Sequence, residues 1–248
     1  MKKNILILGA TSDMGRSFAR ECASRGHNII LAAKNNESLS TLYKDLEIRT
    51  NAYIQSFKFD VLDTDSHKSF YESLPLKIDL VVCFIGYLEE SSKCKKNFNI
   101  AKKVIDINFS CVVSILDIIA NDFEYRKDGI IVAISSTAGD RGRASRYHYC
   151  SAKAALNTYL SGLRNRLFTS NVRVITIKPG YCNTKMTDGM KLPSFLTSEP
   201  EDVSRSIFNA INSGKDISYV YKIWKWIMLI IKMMECIYFL RLTHIQMV

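Results

Sequence analysis

The 248-residue sequence lacks the cysteine and histidine spacings that mark disulfide-rich domains and metal centres. Its seven cysteines are scattered along the chain, odd in number and never arranged as Cys-x-x-Cys. Secreted disulfide frameworks and zinc sites both need paired or closely spaced cysteines. The four histidines also show no ligand spacing. The pattern therefore predicts a cytosolic protein with reduced thiols and no metal site.

Long uninterrupted hydrophobic runs are absent as well. The apolar run in the N-terminal stretch MKKNILILGATS is too short for the core of a signal peptide. Residues 219–248 are apolar and aromatic, but charged residues interrupt them at Lys222, Lys225, Lys232, Glu235 and Arg241. Between residues 219 and 242 the longest uncharged run is 226–231, whereas a spanning helix needs roughly 20 apolar residues. The sequence predicts neither a secretion signal nor a spanning helix.

Short apolar runs alternate with stretches of helical periodicity through most of the chain. The predicted strands are residues 4–8, 28–33, 52–57, 79–84, 129–135 and 172–178, and the predicted helices are residues 14–24, 38–47, 100–120, 147–167 and 201–213. Near-continuous apolar strands are typical of a sheet covered on both faces. Strand–helix alternation predicts parallel strands with right-handed crossovers. We therefore predict an α/β domain over residues 1–218, a doubly wound parallel sheet with helices on both faces, followed by a basic, apolar helical tail over residues 219–248.

The net charge of +10 indicates an anionic partner. Neither zinc-finger spacing nor an aromatic-rich RNA-binding signature is present, so nucleic acid is not expected. The tail over residues 219–248 leaves two interpretations open. It could lie in a membrane interface with Trp and Lys at the headgroups, or it could pack on the domain or on a second subunit of a homo-oligomer.

A glycine-containing turn follows the first predicted strand and opens the first helix. It reads GATSDMG, with Gly9, Thr11, Ser12, Asp13, Met14 and Gly15 as candidate ligands of a nucleotide pyrophosphate. Backbone amides at such a turn, together with a helix N-terminus, favour a phosphate group. Asp13 replaces the middle glycine of the usual pattern, so we expect side-chain hydrogen bonds to hold the turn together.

The ends of the second and third strands bear on the choice of cofactor. Ala33 stands where NAD-binding sites usually place an acid, and Lys34 follows it. A lysine there favours the 2′-phosphate of NADPH, so we expect NAD(P)H with a lean to NADPH. Asp60, with its neighbour Val61, is expected at the adenine, where the carboxylate could accept a hydrogen bond from the exocyclic amine.

The stretch YHYCSAK carries the candidate proton donor. Residues four apart share a helix face, so Tyr149 and Lys153 are neighbours while Tyr147 points elsewhere. Ser136 lies at the end of the fifth predicted strand, and Asn108 is a polar residue in an otherwise apolar helix. An ammonium beside a phenol favours the phenolate, so we expect Lys153, together with the positive charge of an oxidised nicotinamide, to lower the pKa of Tyr149 toward neutrality.

The chain carries five motifs in this order: the glycine turn, Asn108, Ser136, the Tyr149–Lys153 pair and the proline-glycine turn KPGYCNT. With these motifs, residues 1–215 resemble the short-chain dehydrogenase/reductase family. The resemblance implies a Rossmann-like fold and catalysis by Asn108, Ser136, Tyr149 and Lys153. It implies that Asn108 holds a water that relays protons to Lys153, which also holds the nicotinamide ribose. It further implies cofactor contacts by Gly86, Pro179, Gly180 and Thr184. Cys83 to Tyr87 departs from the common Asn-Asn-Ala-Gly motif and keeps only the glycine.

Several stretches resemble one branch of that family more closely. They are FDVLDTDSH (59–67), FIGYLEE (84–90), SSTAGDRGRASRYHY (135–149) and the basic apolar tail. They are similar to the keto-reducing components of decaprenylphosphoryl-β-D-ribose 2′-epimerases. The resemblance implies reduction of a 2-keto-pentofuranose on a polyprenyl phosphate, after a flavoprotein oxidase has made it, at the inner face of the cell membrane for cell-envelope glycan synthesis.

The loop DRGRASR independently offers a phosphate site. Arg141, Arg143 and Arg146 precede the catalytic helix, and guanidinium groups bind phosphate oxygens well. A solvated loop is the alternative. Two other functions stay open at this point: a soluble reductase of 3-oxoacyl or other small carbonyl substrates, and a non-catalytic dinucleotide-binding scaffold.

Overall fold

The computed structural model describes the backbone of residues 2–245 and the side chains of residues 2–234. Seven strands form one parallel sheet in the order β3-β2-β1-β4-β5-β6-β9. They are β1 (Asn4–Leu8), β2 (Asn28–Ala33), β3 (Ile54–Lys58), β4 (Leu80–Cys83), β5 (Gly129–Ile134), β6 (Val172–Lys178) and β9 (Ile217–Tyr219). A separate two-stranded pair consists of β7 (Tyr181–Cys182) and β8 (Thr197–Ser198). The predicted doubly wound parallel sheet is confirmed.

Nine helices connect and cover the strands in the described part of the chain. They are α1 (Asp13–Ser24), α2 (Asn36–Arg49), α3 (His67–Glu72), α4 (Ser91–Cys94), α5 (Phe98–Ile105), α6 (Cys111–Arg126), α7 (Tyr147–Leu167), α8 (Pro200–Asn212) and α9 (Lys222–Ile245). The bounds of β1, β2, β6 and α7 agree with the prediction, whereas those of the other predicted elements shift by one to several residues. The edge strand β9 was missed, because three half-exposed residues carry no clear alternation.

The sheet has a hydrophobic core on each face. Ile5 and Ile7 of β1 join one core, and Leu6 and Leu8 join the other, since successive side chains of a strand point to opposite faces. Helices α1, α2 and α8 cover the first core, and α3, α6 and α7 cover the second. Strands buried on both faces explain the near-continuous apolar runs in the sequence.

The helix predicted over residues 100–120 is interrupted. A π-helical turn, Asp106–Ser110, separates α5 from α6. By length and composition, the stretch Phe98–Arg126 could cross a bilayer, with 29 residues and mean hydropathy 1.7. However, α6 buries Ile115, Leu116 and Ile119 completely against the sheet. Its apolar composition therefore reflects packing in the core.

The C-terminal helix packs on the domain. The boundary predicted after residue 218 falls inside β9, and α9 begins at Lys222. Trp224 and Met228 on its inner face are 4% and 2% exposed. Trp224 covers Gly180, where an added Cβ would lie 2.0 Å from the indole ring. The first turns of α9 are thus part of the globular structure.

The described cysteines agree with the expectation of reduced thiols. Six of them are buried and free, and the side chain of Cys236 lies outside the described residues. Among the described side chains, no cluster of three histidine, cysteine or acidic residues could hold a metal ion.

Phe123 on α6 offers a test of the second core. It is fully buried, and an added Cβ on Gly129 would lie 2.1 Å from its ring. Phe123→Ala should lower the free energy of unfolding by about 3–5 kcal/mol, because it leaves a cavity. Tyr125 on the same helix is 89% exposed, so Tyr125→Ala should change stability by less than about 0.5 kcal/mol. Urea unfolding followed by circular dichroism measures both, and equal losses would contradict this packing.

Candidate active site

The glycine turn after β1 is held by side-chain hydrogen bonds, as predicted. Ser12 caps α1: its Oγ accepts from the Gly15 amide at 3.1 Å and donates to the Gly9 carbonyl at 2.8 Å. Gly9 has φ +77°, a conformation that favours glycine. Asp13, the residue that replaces the usual glycine, accepts from the Lys185 amide at 2.7 Å. This bond ties the turn to the loop after Thr184.

The same turn fits a pyrophosphate. The backbone amides of Thr11, Asp13 and Met14 have no acceptor among the described residues. They lie at the N-terminus of a 12-residue helix, where the helix dipole favours an anion. These three donors are the groups of this chain that would hold the phosphates of a dinucleotide.

Lys34 and Asp60 contact each other. The Lys34 ammonium lies 2.8 Å from the Asp60 carboxylate, which also accepts from the Leu62 amide at 3.1 Å. Lys34 and the Leu62 amide together hold the pKa of Asp60 below its ordinary value, against the effect of burial. Both side chains stand at the carboxyl ends of β2 and β3, as expected. The expected Asp60–adenine bond stays a prediction, since a carboxylate can accept further hydrogen bonds beside these two.

Val61 is not placed to contact a cofactor with its side chain. It is 8% exposed and belongs to the second core. Its carbonyl accepts from His67 Nε2 at 3.1 Å. Apolar packing turns its side chain into the protein, and the predicted contact of Val61 with the cofactor stays a prediction.

Tyr149 and Lys153 face each other on α7. The Lys153 Nζ atom lies 5.8 Å from the centre of the Tyr149 ring, while Tyr147 is 41% exposed. Lys153 is 2% exposed and donates to the Ile134 carbonyl at 3.1 Å. The i, i+4 spacing on one helix face therefore brings the phenol and the amine to the same site.

The pKa of Tyr149 differs from the expectation. Burial raises it to about 12, and the adjacent Ser136 hydroxyl opposes part of that rise. Burial lowers the pKa of Lys153 to about 8. The expected lowering of the phenol's pKa is thus wrong for the protein by itself, because desolvation disfavours the charged form of both groups. The phenol stays protonated at neutral pH.

Ser136 stands at the end of β5, facing Tyr149. It is 9% exposed, and its Oγ accepts from the Ala138 amide at 3.1 Å. The next residue, Thr137, donates its amide to the Pro179 carbonyl at 2.9 Å. These bonds join the serine loop to the proline-glycine turn after β6.

Asn108 lies in the π-helical turn and is fully buried. Its Oδ1 accepts from the Tyr87 amide at 3.2 Å, and its Nδ2 donates to the carbonyls of Tyr87 at 2.6 Å and Val104 at 2.8 Å. An added Cβ on Gly86 would lie 3.4 Å from Asn108 Oδ1 and 3.8 Å from Lys153 Nζ. The predicted role of Asn108 in holding a relay water stays a prediction. Its amide is already engaged in fixing the loop after β4 beside the lysine.

A cavity of about 720 Å³ opens over this group. Its wall includes Ser136, Tyr149 and Lys153, together with the predicted cofactor residues Met14, Gly86, Pro179, Gly180 and Thr184. Thr184 also donates its amide to Thr187 Oγ1 at 3.2 Å. Residues from five separate segments thus meet at the carboxyl ends of the strands, the usual binding edge of such sheets.

Two of the three arginines in the loop DRGRASR line the cavity, and the third is exposed to solvent. Arg143 and Arg146 line the cavity, and Arg143 also donates to the Tyr181 hydroxyl at 3.4 Å. Arg141 is exposed and does not line the cavity. Its predicted role at the substrate is corrected, because the chain emerges into solvent directly after the buried Asp140.

Three further charged residues on the cavity wall were missed in the sequence. Lys95 and Lys191 add two cations, and Glu90 adds one acid. The lysines come from the end of α4 and from the loop before β8. Each is a single lysine in a basic chain, so no local pattern marks either of them.

Asp140 was also missed. Its side chain is 2% exposed and lies 2.7 Å from Lys178 Nζ, 2.8 Å from the Tyr219 hydroxyl and 3.4 Å from Lys232 Nζ. Burial, and then the bond to Asp140, raises the pKa of Tyr219. One carboxylate thus joins the serine loop to β6, β9 and α9. Its partners lie 38 to 92 residues away in the chain, so no local pattern marks it.

Comparisons with known proteins agree with this geometry. The family model described as short chain dehydrogenase matches residues 3–192. An uncharacterized oxidoreductase of Mycobacterium tuberculosis is 29% identical, with 87% of each chain covered. A 3-oxoacyl-[acyl-carrier-protein] reductase of Rickettsia conorii is 26% identical, covering 88% of this chain and 92% of the relative.

Solved structures share the fold. A short-chain dehydrogenase from Sphingobium yanoikuyae, in complex with NADPH, has a TM-score of 0.81 at 18% identity and covers 95% of both chains. A short chain dehydrogenase/reductase from Burkholderia phymatum, in complex with NAD, has a TM-score of 0.82 at 19% identity and covers 92% of both chains.

The burial of Lys153 predicts a pH-dependent stability. The ordinary pKa of lysine is 10.5, and that of Lys153 is about 8. Between these values the unfolded chain binds the proton and the folded chain does not, so the free energy of unfolding rises with pH. Relative to that of Lys153→Met, the free energy of unfolding of the wild type should rise by up to about 3 kcal/mol between pH 7 and pH 10.5.

Urea unfolding without added dinucleotide, repeated across this pH range, measures the difference between the two proteins. Lys44→Met, which removes an exposed lysine on α2, is the matched control and should leave the pH profile unchanged. If the difference in unfolding free energy between wild type and Lys153→Met does not change with pH, the amine is not desolvated.

Proposed function

The chain belongs to the short chain dehydrogenase family and is an oxidoreductase, and from this premise we propose that it uses NAD(P)H to reduce a keto group on a phosphate-linked sugar. The observation that carries the proposal is the basic wall of the catalytic cavity. Arg143, Arg146, Lys95 and Lys191 line the same space as Tyr149, with Glu90 as the acid among its lining residues.

Tyr149 is the proton donor in this proposal. Its pKa of about 12 keeps the phenol protonated at neutral pH, the state that reduction of a carbonyl requires. Ser136 orients the carbonyl oxygen toward it. The charge of Lys153, held by the Ile134 carbonyl, stabilises the phenolate left after the proton has moved. Bound NAD(P)H would supply the hydride.

The cofactor would bind along the carboxyl ends of β1, β2 and β6. The three free amides of the glycine turn suit the pyrophosphate. The side chain of Lys34 is 68% exposed and offers a cation to a 2′-phosphate, although its pairing with Asp60 weakens that preference. Structural neighbours bind NADPH in one case and NAD in another. We therefore propose NAD(P)H, with only a slight lean to NADPH.

For the substrate, we propose the 2-keto-pentofuranose of a polyprenyl phosphate. Guanidinium groups bind phosphate oxygens in a bidentate manner, and Arg143 and Arg146 would place a phosphate within reach of Tyr149. The resemblance of residues 59–67, 84–90 and 135–149 to keto-reducing epimerase components supports the sugar. A flavoprotein oxidase would generate the ketone, and the reaction would take place at the cytoplasmic face of the cell membrane.

A 3-oxoacyl thioester is the second candidate substrate. It is favoured by the likeness to a reductase named for that reaction and by apolar residues on the cavity wall, including Phe84, Ile85 and Ile134. Both candidates require the same donor and cofactor. They differ in the chemical group that would contact the cationic wall of the cavity.

Tyr149→Phe tests the proposed proton donor. It removes one hydroxyl and should lower kcat at least a hundredfold, the usual contribution of general acid catalysis. The dissociation constant for NADPH, measured by fluorescence, should change little, because the ring remains in place. An unchanged kcat with either candidate substrate would refute the role of Tyr149 without touching the assignment of the substrate.

The double variant Arg143→Gln/Arg146→Gln tests the substrate. KM for the polyprenyl-phosphate keto-pentose should rise at least tenfold, because charge-assisted bonds to a phosphate contribute roughly 1.5–3 kcal/mol. KM for a neutral ketone without phosphate should stay the same. Arg141→Gln removes the same charge outside the cavity and is the matched control. Similar KM changes in the control would show that net charge alone, and not the cavity wall, is responsible.

A further inference from the structure

The outer face of α9 exposes an unusual amount of apolar surface. Six large apolar side chains there are 45% to 61% exposed: Ile223, Trp226, Leu229, Ile230, Met233 and Met234. Their spacing of three, four and seven residues puts them on one side of the helix. Trp224 and Met228, on the opposite side, are buried against the domain. Over residues 222–234, whose side chains the structure describes, the helix therefore has two apolar faces, and the domain covers one of them.

The helix is held firmly at its inner face. Trp224 donates from Nε1 to the Leu196 carbonyl at 3.2 Å and packs edge-on against Tyr181, with ring centres 5.4 Å apart. The Lys232 ammonium lies 3.4 Å from the buried Asp140 carboxylate. The uncovered face is consequently presented in a defined orientation to whatever binds it.

The charged residues of α9 distinguish two candidate partners of its exposed apolar face, a second copy of the chain and an anionic bilayer. Lys222 and Lys225 are exposed beside the apolar stripe, and no acidic residue occurs between Lys222 and Met234. A second copy docking through the same face would bring these lysines toward one another without an acid from that stretch to pair with them. An anionic bilayer instead offers acyl chains to the apolar side chains and phosphates to the lysines.

A turn next to α9 leads to residues that line the cavity. Phe195 is 73% exposed, and the turn that carries it is fixed to α9 through the Leu196 carbonyl. Leu192 and Lys191, a few residues earlier, line the catalytic cavity. A partner that covers α9 would thus lie close to a segment that lines the catalytic cavity.

We propose that α9, together with Phe195, docks side-on on an anionic bilayer surface and holds the catalytic cavity at the lipid headgroups. The inference extends the proposed function, since a polyprenyl-linked substrate resides in a bilayer. Its test uses binding alone and does not depend on the reaction. Failure of docking and failure of the substrate assignment are therefore separate outcomes.

Trp226 supplies a direct readout. The chain has two tryptophans, of which Trp224 is 4% and Trp226 is 61% exposed. Vesicles of phosphatidylcholine and phosphatidylglycerol should shift the fluorescence of the full-length protein to shorter wavelength, because Trp226 leaves water. Trp226→Phe should bind the vesicles in a sedimentation assay but lose most of the shift. Pure phosphatidylcholine vesicles should bind at least tenfold more weakly.

Variants identify the docking face. Trp226→Glu/Ile230→Glu should lower the vesicle partition coefficient at least tenfold, and Lys222→Gln/Lys225→Gln should lower it about fivefold for each lysine. Ile48→Glu/Phe168→Glu also places two acids on side chains that are 85% and 81% exposed, but away from α9, and is the matched control. Circular dichroism and thermal unfolding confirm that each variant is folded.

Two results would overturn the proposal. One is equal loss of binding in the control variant, which would mean that charge anywhere on the protein governs binding. The other is a wild-type dimer, seen by light scattering, that fails to bind vesicles and becomes monomeric in Trp226→Glu/Ile230→Glu. That outcome would assign the face to a second copy of the chain.

Discussion

A single hydrogen bond, from the Lys153 ammonium to the Ile134 carbonyl, joins the catalytic helix to the inner strand β5. It compensates a buried cation whose desolvation lowers its pKa to about 8. Because Lys153 is fixed to the sheet, Tyr149 one turn earlier has a defined position relative to Ser136 at the end of the same strand. The arrangement of the candidate proton donor depends on this contact between helix and sheet.

Polar side chains around that contact mainly hold loops in place. Asn108 binds the main chain of Tyr87, Asp13 binds the Lys185 amide, and Asp140 binds Lys178. Each joins segments that are remote in sequence at the carboxyl edge of the sheet. Through Asp140 and Trp224, α9 also contacts the serine loop and the Gly180 turn. Side-chain contacts therefore connect the C-terminal helix to the candidate active site.

Much of the fold and site could be predicted from local patterns. The strands, the glycine turn and the Tyr149–Lys153 pair follow periodicities that the backbone imposes within one element, and the structure places Ser136 beside that pair. The predictions for the pKa of Tyr149 and for Arg141 needed correction, since they required knowing which groups the folded chain buries and which it exposes. Lys95, Lys191 and Asp140 were missed because their neighbours come from other segments.

The sequence by itself determined the class of fold, the order of the elements and the residues able to donate a proton, because hydrophobic period and side-chain chemistry are properties of the chain. Tertiary structure alone decided which of three arginines faces the cavity, that burial raises the pKa of Tyr149, and which side of α9 stays uncovered. Desolvation and contact depend on the distances between folded segments, and no local pattern encodes those distances.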